Sequence, residues 1–348
     1  MRNFIHKNKR SYLITAFISI LILIVVLPGC GSSVSGGAAE SGTKERAEAV
    51  KLNIADISSN PVLRVAKTKG FFEKNGIDAT IVNFATPAEG INSLFIKQAD
   101  IGWGADFPIL NAVSKGEFSI VASTGTSTDR NALKWQLFVR DEIKQAGDLE
   151  GKNLSFMRGT FLTYLWDVFL TENGVDPKNV TLTGQGGSDE AYIALKNGEV
   201  DAAWVTGAVM LQRFEEIEGV HVLTDMAQTS VRIGGQIVVP DKLIEEHPKT
   251  VANFLKAVDE ASQFAKENPD EVADILYDEV KQPREATLKD LAESNWNIDF
   301  TQDALDSLTR QKKYMVENGI IQTDFELADK INLEFLKEIL PDRVTATP

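Results

Sequence analysis

Small polar side chains stand where this sequence predicts that a strand gives way to a helix. They are Ser58, Ser59, Asn60, Thr86 and Thr160. At a helix start, unpaired backbone N–H groups and the positive end of the helix dipole face outward, and hydroxyl or amide side chains add hydrogen bonds. Such turns suit an anionic headgroup such as a sulfonate, phosphate or carboxylate. The same residue types also cap helices that bind nothing, so each position keeps both interpretations.

Three aromatic residues close to these turns are candidate walls of a ligand cleft, namely Trp103, Phe161 and Trp204. The two tryptophans belong to a short internal similarity. Leu94–Trp103 and Leu195–Trp204 both run from a helix end into a strand that begins at an aspartate. This similarity favours two lobes of the same design. Each tryptophan therefore has a comparable place in its lobe, either in the core or against a ligand.

Charged side chains near the turns offer two further candidates. Asp106 could cap the helix that starts near Phe107, or it could face an amine or hydroxyl group of a ligand. Arg158 could pair with an anion, as could Arg130 and Arg232, although arginine is by default exposed on the surface.

The sequence contains no arrangement typical of catalysis or metal binding. Gly-x-Ser-x-Gly, His-Glu-x-x-His, Walker A and Cys-x-x-Cys patterns are absent. The single cysteine, Cys30, excludes an intrachain disulfide and any multi-cysteine metal site. We therefore predict no catalytic residue, no metal and no cofactor. The net charge of −14 argues against nucleic-acid binding, which depends on basic side chains.

The elements that position these residues alternate between short apolar strands and amphipathic helices, which is typical of an α/β protein. In open α/β sheets a ligand binds beyond the carboxyl ends of the strands, where the turns lie. Beyond Pro240 the pattern becomes mainly helical. The predicted strands include Lys51–Ile57, Ala79–Phe84, Ile101–Trp103, Leu133–Val139, Asn153–Met157 and Ala202–Val205, and the predicted late helices are Pro248–Glu267, Pro269–Val280, Thr301–Glu317 and Leu327–Ile339.

The amino terminus has the pattern of an exported protein. Residues 1–29 carry four basic and no acidic side chains, and Leu13–Leu27 is almost wholly apolar but shorter than the roughly 20 residues of a membrane-spanning helix. Leu27-Pro28-Gly29-Cys30 resembles a bacterial lipobox, which implies cleavage before Cys30 and its acylation. Residues 30–49 would form a flexible tether, and the net charge would become −18. A single membrane anchor with an unmodified Cys30 is the alternative.

Several short segments spread over residues 50–340 match one family in their order. These segments are Gly70–Ile77, Gln98–Pro108, Asp148–Lys152, Gly159-Thr160, Asn197–Ala202, Trp296 and Phe335-Leu336. Together they resemble the substrate-binding lipoproteins of ABC importers, in the nitrate/sulfonate/taurine-type group.

The resemblance implies a two-lobed α/β fold of the type 2 periplasmic-binding-protein kind, with central mixed sheets, a hinge of two crossover strands and a helical C-terminal part. Residues 50–140 and 240–348 would form lobe one, and residues 141–239 lobe two, with Val231–Val239 as the return crossing. In relatives that bind sulfonates, the turn matching Gly159-Thr160-Phe161 caps the anion, and the turn matching Ser58-Ser59-Asn60 contributes from the other lobe.

The resemblance further implies a monomeric, lipid-anchored, extracytoplasmic protein that captures a small solute and passes it to permease and ATPase subunits, without catalysis. Thr206-Gly207-Ala208 departs from the family, many of whose members carry Trp-Asp-Pro there, and this difference leaves the exact ligand open. Uptake of a thiamine-precursor pyrimidine, a ligand-sensing lipoprotein and an extracellular enzyme that uses Asp106 are the alternatives.

Overall fold

The computed structural model describes residues 49–57, 60–84 and 86–347. The predicted signal peptide, Cys30 and nearly all of the tether lie outside these residues, as do Ser58 and Ser59. In the part that is described, no helix is both long enough and apolar enough to cross a membrane.

Strands and helices alternate over the first two thirds of the described chain, and helices dominate the last third. The strands are β1 Val50–Ile57, β2 Ile77–Phe84, β3 Ile101–Ala105, β4 Phe118–Ser123, β5 Thr126–Ser127, β6 Gln136–Arg140, β7 Asn153–Met157, β8 Thr181–Gln185, β9 Ala202–Val205, β10 Val220–Asp225, β11 Gly235–Pro240 and β12 Ser294–Asn295. The helices are α1 Pro61–Thr68, α2 Phe71–Lys74, α3 Pro87–Phe95, α4 Asp106–Val113, α5 Asp129–Ala132, α6 Leu162–Glu172, α7 Ser188–Asn197, α8 Ala208–Glu215, α9 Asp241–Glu246, α10 Pro248–Glu267, α11 Pro269–Val280, α12 Arg284–Glu293, α13 Gln302–Glu317 and α14 Glu334–Ile339.

Two mixed five-stranded sheets form the framework, which confirms the predicted fold class. The first sheet has the order β2-β1-β3-β11-β4, with β1 parallel to β2 and β3, and with β11 antiparallel to β3 and β4. The second has the order β10-β6-β9-β7-β8, with β7 parallel to β8 and β9, and with β6 antiparallel to β9 and β10. Each sheet thus contains one antiparallel strand supplied by a crossing of the chain.

The two crossover strands, β6 and β11, do not pair in the sheets that the expected lobe boundaries imply. Strand β6 pairs with β9 and β10, so residues 136–140 belong to the second sheet rather than to lobe one. Strand β11 pairs with β3 and β4, so residues 235–239 belong to the first sheet rather than to lobe two. The backbone pairing of these two strands decides to which sheet each belongs, and their composition alone does not reveal it.

The internal similarity of sequence has a counterpart in the two sheets. Asp100 accepts a hydrogen bond from the backbone N–H of Asn53 at 2.8 Å, and Asp201 accepts one from the backbone N–H of Asn153 at the same distance. Each aspartate thereby joins the start of a central strand to its parallel neighbour. The repeated aspartate is therefore explained by the same side-chain to backbone hydrogen bond between neighbouring strands in both sheets.

The late helices follow the sequence pattern with one exception. Helices α10 and α11 have the predicted bounds, and α10 buries residues spaced as on one helix face, including Val251, Phe254 and Val258. The single helix predicted over Leu327–Ile339 is wrong. A 3₁₀ turn at Leu327–Lys330 is separated from α14, because the backbone N–H of Asn332 bonds to the carbonyl oxygen of Ile120 in β4.

Candidate functional site

A cleft of about 340 Å³ is lined by strand-to-helix turns of both sheets. The first sheet contributes the end of β1 and of β3, the second contributes the segments after β7 and β9, and the two crossings supply the remaining wall. The lining residues are Ile57, Trp103, Ala105, Pro108, Gly125, Asn131, Trp135, Met157, Gly159, Thr160, Phe161, Thr206, Ile233, Gly234 and Gly235. Such a position, beyond the carboxyl ends of strands, is where open α/β sheets bind ligands.

Two larger cavities of the described chain lack this combination, and the second of them adjoins the cleft, because Ile233 and Gly234 line both. One, of about 400 Å³, lies among α10, α12 and residues 294–297. The other, of about 510 Å³, lies among the crossing segments and α13. Neither is lined by turns that follow parallel strands of both sheets, so volume alone does not identify the candidate site.

Three helices begin at the cleft. Ala105 precedes α4, Phe161 precedes α6 and Gly207, which follows the lining residue Thr206, precedes α8. The first backbone N–H groups of a helix have no partner within that helix, and the helix dipole places partial positive charge there. At α4 the Asp106 N–H already donates to the carbonyl oxygen of Gly234 at 3.1 Å, and the third helical residue, Pro108, has no N–H. The starts of α6 and α8 are therefore the places that favour a negative group without requiring a basic side chain.

The turn Gly159-Thr160-Phe161 forms one end of the cleft. Gly159 has a φ of 75°, which is unfavourable for residues with a Cβ, and a Cβ built on it would lie 3.5 Å from that of Ala88 in α3. The Thr160 hydroxyl donates to the carbonyl oxygen of Met157 at 2.7 Å, and its oxygen accepts a long bond from the Leu162 N–H at 3.4 Å. The Thr160 side chain thus holds the turn in shape.

Aromatic rings form two walls. Phe161 packs edge to face against Trp135, with 5.0 Å between ring centroids. Trp103 donates its indole N–H to the carbonyl oxygen of Thr124 at 3.0 Å and lies against Trp296, with 5.9 Å between centroids. Because the indole N–H of Trp103 is already bonded, this residue offers the cleft an apolar surface.

Asp106 lies behind the cleft, completely buried in the first turn of α4. Its carboxylate accepts hydrogen bonds from the Gly234 N–H, the Gln236 and Gln311 amides and the Ser307 hydroxyl, at 2.7–2.9 Å. Burial raises the pKa of Asp106, and these four bonds oppose that rise. The expected roles as helix cap or ligand partner are not what the geometry shows: the N-cap is Ala105, and the carboxylate joins the return crossing to α13.

The other predicted polar contacts are engaged in helix caps. Asn60 is buried and accepts from the N–H groups of Val62 and Leu63 at 2.9 and 3.3 Å. Thr86 accepts from the Glu89 N–H at 3.2 Å. Both N-caps were expected from the sequence and are confirmed. Neither residue is among those that line the cleft, so a direct ligand contact remains a prediction for both.

Arg158 and Trp204 also lie outside the cleft lining. Arg158 is exposed, and its side chain packs over Gly184. Trp204 is buried against Trp166 and Phe169, at 5.8 and 5.5 Å between ring centroids. The comparable sequence positions of Trp103 and Trp204 therefore have different surroundings, because the first faces the cleft and the second packs under α6.

Several cleft residues were not expected from the sequence, chiefly Trp135, Met157 and the segment Ile233–Gly235. A glycine pair inside a predicted strand marks a close approach of another chain segment, and Gly234-Gly235 offered that indication. Trp135 carried no comparable indication, because its place depends on how the first crossing meets Phe161.

No charged side chain is among the described residues that line the cleft. Arg232, on the adjoining crossing, instead pairs with Asp129 at 2.8 Å and donates to the carbonyl oxygens of Thr229 and Val231. The cleft is thus a mostly apolar space whose polar groups are neutral.

Residues 294–300, which hold Trp296 behind Trp103, include the buried acid Asp299. Its backbone pairs with Ser123 in β4, and its carboxylate accepts from the Asn295 amide at 3.1 Å. Burial raises the pKa of Asp299 from 3.8 to about 6, against the effects of that hydrogen bond and of Arg343. The folded protein therefore holds this proton more tightly than the unfolded chain does.

We expect Asp299→Asn to remove a pH-dependent loss of stability. Because the folded pKa is raised, the wild-type free energy of unfolding contains a contribution that is lost as pH rises from about 4 to about 6, amounting to roughly 2 to 3 kcal/mol. Urea unfolding at pH 4 and pH 7 measures it. Between pH 4 and pH 7, the free energy of unfolding of the variant should rise by that amount relative to that of wild type. The same difference between the two proteins at both pH values would contradict a raised pKa for Asp299.

Two mixed sheets, two crossings and a cleft lined by the turns of both sheets are the architecture of the periplasmic-binding-protein fold. The chain belongs to the NMT1/THI5-like family, whose profile matches residues 61–272. This match, together with the relatives described next, confirms the resemblance to periplasmic-binding-protein-like substrate-binding proteins.

The similarity to sulfonate-binding proteins spans almost the whole chain. Over 332 residues, 93% of this chain and 96% of the relative, it is 25% identical to a candidate aliphatic sulfonates-binding protein of Bacillus subtilis (strain 168). The periplasmic aliphatic sulphonate binding protein SsuA from Escherichia coli superposes with a TM-score of 0.68 at 18% identity, over 81% of this chain and 97% of that one. The alkanesulfonate-binding protein SsuA from Xanthomonas axonopodis pv. citri, bound to MOPS, superposes with a TM-score of 0.66 at 16% identity, over 82% of this chain and 99% of that one.

Proteins named for other activities also resemble this chain. A candidate thiamine biosynthesis protein of Haemophilus influenzae is 24% identical over 212 residues, 60% of this chain and 65% of the relative. The desulfurization enzyme DSZB superposes with a TM-score of 0.60 at 17% identity, over 84% of this chain and 99% of that one. The fold is therefore compatible with binding and with catalysis, and the site must distinguish them.

Proposed function

We propose that this protein is the extracytoplasmic solute-binding component of an ABC importer and that it captures a small organosulfonate in the cleft, without chemistry. The observation that carries the proposal is that the starts of α6 and α8 adjoin an apolar cleft between the two sheets. A sulfonate is a strong-acid anion whose oxygens accept several hydrogen bonds, which matches neutral N–H donors at helix starts. The sulfonate-binding relatives support the same ligand class.

Delivery would follow from the two-lobed design. A ligand that contacts the turns of both sheets binds the closed form better than the open form and so shifts the equilibrium between them. Permease and ATPase subunits would be the partners that respond to the closed form. Acylation of Cys30 would hold a monomeric protein at the outer face of the membrane, and more than one acyl chain makes such anchoring stable.

The proposal predicts that alkanesulfonates stabilise the purified full-length chain. Ligand present at one hundred times its dissociation constant adds about 2.7 kcal/mol to the free energy of unfolding. Thermal unfolding with and without propanesulfonate, with sodium chloride at equal ionic strength as control, measures this. An unchanged melting temperature across a series of sulfonates would contradict the proposal.

A pyrimidine used in thiamine synthesis is the second candidate, because Trp103, Trp135 and Phe161 could enclose a planar ring. Stabilisation by an aminopyrimidine and not by any sulfonate would favour it. Chemical analysis of the solute released from the protein distinguishes binding from catalysis, since a binding protein returns its solute unchanged.

A further inference from the structure

The cavity of about 400 Å³ among α10, α12 and residues 294–297 has two helix faces as walls. The lining residues from each helix recur at intervals of three and four positions. They include Ser262, Ala265 and Lys266 from α10, and Leu288, Leu291 and Ala292 from α12. Such spacing places each set on one face of its helix. The volume lies within the roughly 300–1,000 Å³ typical of small-molecule sites, so this space can hold a ligand.

Two buried polar groups of this lining have no hydrogen-bond partner in the described chain. Ser262 is 2% exposed, and its hydroxyl lacks even the bond to the carbonyl oxygen four residues earlier that helical serines can make. The indole N–H of Trp296 is likewise buried and unpaired. Because buried polar groups in folded proteins nearly always have a partner, these two indicate a hydrogen-bonding group supplied from the cavity.

The orientation of Trp296 directs its N–H away from the cleft between the two sheets. A Cβ built on Gly125, which lines that cleft, would lie 2.8 Å from Cζ3 and 3.2 Å from Cη2 of Trp296. Those atoms belong to the six-membered ring, so the five-membered ring with Nε1 is the end farther from Gly125. Trp296 lines the cavity behind it, and a group bound there is the partner that its N–H can reach.

Lys266 is the one charged side chain among the described residues that line this cavity. It is exposed and forms no ion pair within the described chain. The apolar side chains of Leu288 and Leu291 provide much of the remaining wall. A ligand that suits this lining therefore carries one negative charge, oxygen acceptors for two donors, and an apolar body.

From these features we infer that the cavity binds a small carboxylate with an apolar body, at a second site separate from the cleft. The carboxylate pairs with Lys266, and its two oxygens accept from the Ser262 hydroxyl and the Trp296 N–H. Hydrogen bonds of this kind, in which one partner is charged, are stronger than those between neutral groups. The inference goes beyond the proposed function and does not depend on it.

Titration calorimetry with the purified full-length chain tests the inference with hexanoate as the probe. Hexylammonium has a similar chain and the opposite charge, and acetate has the same headgroup without the chain. We expect hexanoate to bind at least about 10-fold more tightly than hexylammonium, because Lys266 repels a cation. The margin over acetate should also be at least about 10-fold, because the chain buries apolar surface.

Variants then locate the bound hexanoate. Lys266→Met removes the cation and Ala292→Phe fills the space, and each should weaken hexanoate binding at least about 10-fold. Both residues are exposed, so the fold should persist. Trp296→Phe, which removes the N–H and keeps a ring, should weaken binding at least about 3-fold. Lys256→Met, the same change at an exposed lysine of α10 outside the cavity, should leave the affinity unchanged.

Each outcome bears on this site and not on the cleft. Hexanoate binding that is absent, that hexylammonium matches, or that Lys266→Met and Ala292→Phe leave unchanged would overturn the inference. None of these results alters the stabilisation by propanesulfonate that tests the proposed function. Binding that is lost in the cavity variants and retained in Lys256→Met supports the inference.

Discussion

Replacement of Asp106 by alanine is expected to lower the free energy of unfolding by about 3 kcal/mol. The substitution leaves the Gly234 N–H and the side-chain amides of Gln236 and Gln311 buried without their acceptor, and each such group costs roughly 1 to 3 kcal/mol. Removal of the buried carboxylate also removes the cost of burying its charge, so the net loss is smaller than the sum. Urea unfolding at pH 7 measures it.

Asp106→Asn is the matched control for this prediction. An asparagine oxygen can still accept from Gly234 and Gln311, so the loss should be less than half of that in the alanine variant. Because burial raises the pKa of Asp106, the wild-type carboxylate is costly at high pH, and the asparagine variant should compare more favourably there. Equal stability of the wild-type and alanine proteins would show that these four hydrogen bonds do not hold the crossing to α13.

Replacement of Gly235 by alanine is expected to damage both the fold and the cleft. A Cβ at this position would overlap the carbonyl oxygen of Thr124 and lie 2.8 Å from the Trp103 indole nitrogen. The backbone N–H of Thr124 donates to Gly235 at 2.8 Å, so the strands cannot separate without loss of that bond. We expect a loss of about 2 to 3 kcal/mol, as for overpacking of a core, and at least 10-fold weaker sulfonate binding, because Trp103 must move.

Gly147→Ala provides the comparison for the glycine effect, because no atom lies within 4 Å of a Cβ built there and its φ lies outside the left-handed region. This variant should match wild type in stability and in ligand binding by calorimetry. Normal sulfonate binding in a folded Gly235→Ala protein would mean that the position of Trp103 is not critical for the ligand.

Local features of the sequence were sufficient for most of the framework. Asn60 and Thr86 cap the helices that they were expected to cap, since an N-cap depends on the next two or three residues. The bounds of α10 and α11 follow from proline at the first helical position and from the spacing of apolar residues. The helix predicted over Leu327–Ile339 is interrupted because the backbone N–H of Asn332, in the middle of this segment, donates to the carbonyl oxygen of Ile120 in β4. No local sequence pattern reveals this contact.

The candidate site was predicted less completely, because a pattern of residue types does not show which hydrogen bonds are already satisfied. Thr160 and Phe161 do line the cleft, as does Trp103. Asp106 had the features of a ligand partner, yet its oxygens are occupied by residues up to 205 positions away. Trp204 resembled Trp103 in sequence context, and only the packing of Trp166 and Phe169 separates their surroundings.

The sequence by itself determined the alternation of strands and helices, the turns where a ligand could bind and the similarity of the two lobes, because these depend on short-range periodicity and on residues close in the chain. The tertiary structure alone decided which turns meet at one cleft, that its described walls carry no charge, and that Asp106 supports the crossing. Those properties depend on contacts between residues far apart in the chain, whose burial and hydrogen bonding exist only once the two sheets have formed.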